Sequence, residues 1–222
     1  MSTNLDISRH MELFNPSKFN MPVTIIGAGA TGSWLVLSLA KLGIEDITVY
    51  DFDIVEEHNV PNQAFALSDV GTSKVSAIYK EVERTTGAHI AIKNEKFVDQ
   101  RLAGVVFLMV DSMAARKEIW ENSIKMKSAV QLLVEPRMGL DVGRIYNVIP
   151  TKLNHVSEYE KTYYGDDVAE VSACGASKTV ISSALGITAW CVRQLINFYN
   201  GEDLDNEILI DFKYNNIMAT NW

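Results

Sequence analysis

Cysteine is scarce in this chain, with two among 222 residues, Cys174 and Cys191, and only four histidines accompany them. Two thiols cannot build the disulfide framework of a small secreted scaffold, and their spacing from the histidines forms no metal-ligand cluster, so a reducing cytosol is the expected setting. Also missing is any run near the roughly 18 consecutive apolar residues that a membrane span needs. The start Met1-Ser2-Thr3-Asn4-Leu5-Asp6 lacks the Lys or Arg that opens a signal peptide. Neither membrane insertion nor export is expected, and a cytoplasmic protein is. Positive charge is in deficit, because 20 Lys and Arg against 28 Asp and Glu leave a net charge of −8. With no basic stripe, a nucleic-acid backbone is not the expected partner, although nucleotides, met by a few local cations, stay open. There are no repeats, low-complexity tracts or linkers, and the length suits one domain over residues 1–222.

What is present is an alternation of short β-branched runs with longer mixed segments. After an N-terminal arm over 1–20, with a short helix Ser8 to Phe14 closed by Asn15-Pro16, the pattern predicts strands over 23–26, 46–50, 89–93, 105–110 and 130–135. Helices are expected between them over 30–42, 69–86 and 112–124. That alternation predicts an α/β fold, a doubly wound, mostly parallel Rossmann-like sheet with helices on both faces. Arg144 to Ile149 suggests a further strand, which can run antiparallel. Thr151 to Ala173 is polar and acidic, carries Tyr159, Tyr163 and Tyr164, and is read as a long loop crossing the sheet. A helix from about Ser177 to Tyr199 and a last strand Glu207 to Phe212 complete the reading.

Chemistry concentrates between Val23 and Lys74. The turn Gly27-Ala28-Gly29-Ala30-Thr31-Gly32 follows an apolar strand and opens a helix, where backbone N–H groups can approach a polyphosphate closely. Gly27 and Gly29 would supply the tight turn and the close approach, and Gly32 the packing of helix on strand. Asp51 ends the second strand about 20 residues on, where a carboxylate can accept hydrogen bonds from ribose hydroxyls. The strand Val105 to Val110 is apolar throughout and stops at Asp111, which therefore points toward the same crevice.

Three further stretches carry a resemblance. Asp51-Phe52-Asp53-Ile54-Val55-Glu56, Asn59-Val60-Pro61-Asn62-Gln63 and Ser68 to Lys74 closely resemble the ATP site of the ThiF/MoeB/HesA adenylating family, relatives of the ubiquitin-activating enzymes. Ser8-Arg9-His10 resembles the Arg-Gln that opens that family's domain, and Asp111-Ser112 with Arg116 resembles its Asp-Asn followed by Arg. The resemblance implies ATP-dependent adenylation of a carboxylate, usually the C-terminus of a small ubiquitin-like or sulfur-carrier protein or peptide, by a homodimer. It implies that Lys74 contacts the phosphates, Asp111 holds Mg²⁺ and Arg9 reaches the γ-phosphate in its own or the neighbouring subunit. Asp51 would bind ribose, while Asp53, Asn59, Asn62 and Gln63 join the nucleotide-binding set.

The sequence departs from the family in places. Asn62 stands where a phosphate-binding arginine is common, and Arg137 is either its replacement or a surface or ion-paired arginine. The paired Cys-x-x-Cys motifs that hold structural zinc in many relatives are missing, so no zinc is expected. An appended rhodanese or ubiquitin-fold domain is not expected, and the Asn62-Gln63 variant with Arg137-Met138-Gly139 resembles compact members from phage and mobile-element operons. Cys174, just before a helix, reads either as a thiolate nucleophile that captures the acyl group as a thioester or as a small buried hydrophobe. Two other functions stay open: a half-active or non-catalytic subunit, suggested by Asn62, and an NAD-dependent oxidoreductase, suggested by the glycine turn and Asp51 alone.

Overall fold

The computed structural model describes residues 5–165 and 180–222. Eight strands form one sheet in the order β3-β2-β1-β4-β5-β6-β7-β8. Strands β1 (Val23–Ile26), β2 (Ile47–Tyr50), β3 (Ala91–Lys93), β4 (Gly104–Leu108) and β5 (Val130–Met138) run parallel. The sheet then continues antiparallel through β6 (Val142–Val148), β7 (Glu207–Asp211) and β8 (Asn216–Thr220).

Every residue of β1 and β4 is buried, as expected of strands covered on both faces. The alternation of side chains sorts them into two cores. Ile25, Phe107 and Val134 join the apolar stripes of α1 (Ala30–Lys41), α2 (Lys74–Thr86) and α5 (Ile181–Tyr199) on one face. Ile26, Val106 and Leu133 join Ile119 and Trp120 of α3 (Met113–Ile119) and the π-type turn that follows it, with Val156 and Tyr159 of α4 (Leu153–Glu160), on the other. Helices on both faces make the sheet doubly wound. The chain reverses its direction of winding between β1 and β4, and the carboxyl ends of those strands open a crevice.

The structure differs from the sequence reading at several ends. Residues 8–14 form successive turns rather than a helix, with Leu13 and Phe14 N–H groups both donating to the His10 carbonyl. Seven residues before Pro16 are too few to sustain a helix alone. Phe14 is instead held by ring contacts with Phe19 and Tyr199. Helix α2 begins at Lys74, not at 69, because Leu67–Asp69 forms its own short turn and Ser73 caps the helix through the Ser76 N–H. The stretch read as a loop from Thr151 begins with α4, whose His155, Val156 and Tyr159 are buried. Strand β8 was not expected. It follows a turn in which Asn215 takes a left-handed φ of 56°, and all five of its residues are exposed. No helix of the described residues is long and apolar enough to cross a membrane.

Candidate functional site

The glycine turn lies at the bottom of the crevice. Gly27 has φ +101°, a conformation L side chains rarely adopt, and an added Cβ would come within 2.8 Å of the Met109 carbonyl oxygen. Gly32 lies so close to the turn that a Cβ would meet the Gly27 carbonyl oxygen at 2.0 Å. A Cβ on Gly29, by contrast, would meet nothing within 4 Å, because that residue borders open space. Gly29 is also the N-cap of α1 and offers no side-chain cap, so the helix presents its first N–H groups toward the opening.

Above the turn is a hollow of about 760 Å³, within the range of small-molecule sites. Gly27, Gly29, Asp51, Asp53 and Lys74 line it, together with Asn59, Gln63 and Asp111. Lys74 and Asp111 thus face one cavity. The Asp51 carboxylate braces the turn, accepting from the Ala28 N–H at 2.6 Å and the Asp53 N–H at 2.8 Å. Asn59 is buried and uses its side-chain oxygen to accept the Glu56 N–H at 2.9 Å. The Gln63 side-chain oxygen is buried without a hydrogen-bond partner among the described residues. A buried acceptor left unpaired costs about 1 to 3 kcal/mol, so this wall suits a ligand that donates to it.

Other sequence candidates sit elsewhere. Gly32 and Asn62 do not line the hollow: Gly32 packs α1 onto the turn, and Asn62 is buried with its carbonyl accepting from the Trp34 indole at 3.1 Å. Arg9 is exposed and does not line it either. Cys174 lies outside the described residues. Cys191 is fully buried on α5, and burial pushes its thiol well above the usual range. Among the described residues no three His, Cys, Asp or Glu side chains gather to hold a metal ion. Asp111 is one carboxylate beside a cavity suited to phosphates, which is the usual donor set for Mg²⁺, an ion that keeps water and takes phosphate oxygens.

Arg137 is ion-paired and buried. Its Nε donates to Glu135 Oε1 at 2.8 Å, one Nη to the Thr162 carbonyl at 2.7 Å, and the other to Glu135 Oε2 at 3.2 Å and Thr162 Oγ1 at 2.9 Å. Arg116 Nη1 reaches the same Glu135 at 2.5 Å and the Leu108 carbonyl at 3.3 Å, and the Tyr159 hydroxyl donates to the second carboxylate oxygen. Glu135 is entirely buried. Burial pushes its carboxyl up, but the charges of Arg116 and Arg137, with the hydrogen bonds from Arg137 and Tyr159, outweigh it and hold the group below its ordinary value. The hub ties the end of β4, the end of β5 and the residues after α4 to one another. Sequence reasoning did not single out Glu135. Its signal was a carboxylate inside the apolar run of β5, two residues from an arginine and hence on the same face.

The ThiF family matches residues 8–205. A tRNA threonylcarbamoyladenosine dehydratase 2 from Saccharomyces cerevisiae is 41% identical over 64 residues, which is 28% of this chain and 14% of that protein. The NEDD8-activating enzyme E1 catalytic subunit of Arabidopsis thaliana is 33% identical over 104 residues, covering 44% of this chain and 23% of the relative. The matched segments therefore span less than a quarter of either curated protein. In fold, the structure of E. coli MccB with AMPCPP and selenomethionine MccA superposes with a TM-score of 0.68 at 17% identity, over 91% of this chain and 64% of that one.

Proposed function

This chain belongs to the ThiF family, and on that premise we propose that it adenylates the C-terminal carboxylate of a small ubiquitin-like or sulfur-carrier protein or peptide with ATP. A carboxylate oxygen attacks the α-phosphorus, the bond from that phosphorus to its bridging oxygen breaks, and pyrophosphate departs, leaving an acyl-adenylate. A carboxylate is already a nucleophile, so the reaction calls for no general base. It calls for positive charge and oriented donors against two anions and a leaving group.

The observation that carries this reading is the meeting of Lys74, Asp111 and the uncapped N-terminus of α1 around one hollow. Lys74 would hold phosphate oxygens, and the amides opening α1 would take the rest of the polyphosphate. Asp51 would keep lone pairs for ribose while bracing the turn, and Asn59 with Gln63 would bound the nucleotide. Asp111 would hold Mg²⁺, which when bound supplies charge neutralisation. Arg9, exposed and away from its own hollow, suits a site completed by a second copy, so a homodimer belongs to the proposal.

The buried place of Asn62 favours a second reading, in which the chain is a half-active subunit of a heteromeric assembly. Carboxylate-dependent exchange of pyrophosphate into ATP by the isolated protein decides between them. Exchange that vanishes in Lys74→Ala and Asp111→Ala supports adenylation, and none with any co-encoded ubiquitin-fold protein or peptide speaks for the second.

A further inference from the structure

The lining of the hollow changes character from one side to the other. Around β1 and β2 it is polar, with Asp51, Asp53, Asn59, Gln63 and Lys74. Around β4 and β5 apolar side chains predominate, Met109, Val110, Met113, Pro136, Met138 and Tyr164, with Ser112 and Glu118 among them. Met109 and Met113 are nearly buried and form a floor, whereas Val110, Met138 and Tyr164 are half-buried. Arg116 and Arg137 stand on this side, but they are only 6% and 3% exposed and are engaged by Glu135, Thr162 and the Leu108 carbonyl. What this wall offers a ligand is therefore mainly apolar surface, with Asp111, Ser112 and Glu118 as its polar members.

Neither a phosphate nor a carboxylate gains from such a surface. A substrate side chain does, since burying it removes apolar area from water on both partners. Methionine is unbranched and adaptable, and Met113 of α3 and Met138 of β5 both line this part of the hollow, a lining that conforms to a long linear chain. A terminal glycine would leave the wall wet. Resting on the adenylation reading, we propose that the acyl substrate ends in a residue with an unbranched apolar side chain, which lies against Val110, Met113 and Met138 while its carboxylate stands beside Asp111.

The test is binding of three acyl-sulfamoyl adenosines, stable mimics of the acyl-adenylate, carrying N-acetyl-norleucyl, N-acetyl-glycyl or N-acetyl-aspartyl groups. Calorimetry on the full chain should give a norleucyl dissociation constant at least about 10-fold below the glycyl one. Met138→Thr and Val110→Thr, measured separately so that one unstable variant does not decide the matter, should each bring that ratio to within about threefold of unity. Equal affinity for the glycyl and norleucyl compounds, preference for the aspartyl one, or a ratio untouched by both variants overturns the assignment while leaving adenylation standing. If no analogue binds more tightly than AMP, the adenylation reading itself fails and this proposal with it.

Discussion

Asp53 Oδ2 lies 2.7 Å from the Lys74 ammonium nitrogen, and the Asp53 carbonyl accepts the Lys74 N–H at 2.9 Å. The lysine is thus held at both ends by one residue, at the first position of α2, with its side chain 9% exposed and that of its partner 49% exposed. An ammonium group has three donors, and with Asp53 taking one among the described residues, two are left for phosphate oxygens. Lys74→Ala should lower pyrophosphate exchange by at least about 100-fold, the scale of a lost charge-stabilising donor. Asp53→Asn keeps the cation and loses its anchor. Its exchange should fall by about 10-fold, mainly through a raised KM for ATP, and steady-state kinetics on the two variants separate these effects.

Gly29 and Gly32 differ by three positions and should respond in opposite ways. Gly32→Ala sets a methyl group 2.0 Å from a backbone oxygen, which neither partner can avoid cheaply. A loss of about 3 kcal/mol in urea unfolding is expected. Gly29→Ala has room for its methyl group, so stability should change by about 1 kcal/mol or less. The methyl group enters the hollow, and ATP affinity should fall by about 10-fold or more in calorimetry.

Glu135, fully buried, neutralises two buried arginines. Glu135→Gln strands their charge and should cost about 3 to 5 kcal/mol of stability. Arg137→Met removes one cation together with its bonds to Thr162. The double variant should be more stable than the sum of the two single losses predicts, and a denaturation cycle on the four proteins measures that coupling.

His155 provides the pH dependence. Burial, and secondarily the charge of Lys152, pushes its imidazole below 6.5. Its Nδ1 accepts from the Ile149 N–H at 3.2 Å and lies 3.1 Å from the Asn206 amide nitrogen, an arrangement that suits the neutral ring. As the pH falls below about 6.5 the unfolded chain takes up a proton before the folded one does, so stability declines and then levels off once the folded ring is protonated. His155→Gln should flatten the urea midpoint between pH 7 and 5.

Much of this was legible in the residues. The bounds of β1 and the start of α1 follow from an apolar run meeting glycine, and the burial of β4 from the lack of any polar residue between Val105 and Val110. Asp111 reaches the hollow from just beyond the carboxyl end of β4, and Lys74 from the first position of α2. The α4 helix was harder to see because its 8 residues bury only three side chains and so carry a weak period. Strand β8 was hidden for a different reason. It is exposed throughout, and neither burial pattern nor alternation marks it; only Asn215 at the turn gave a local sign. Glu135 escaped because the strand was expected to stop there, and a carboxylate at such an end looks ordinary until its partners, 19 residues before and 24 after, are folded against it.

That bare last strand has a practical meaning. Among the described residues no strand pairs with its outer edge, Ile217 and Met218 are exposed, and neither lysine nor proline stands among its five residues. Such a margin invites another strand to zip onto it. This margin is a strand-pairing edge remote from the crevice between β1 and β4, so Met218→Lys should raise the concentration at which the protein clouds while nucleotide affinity stays as it was.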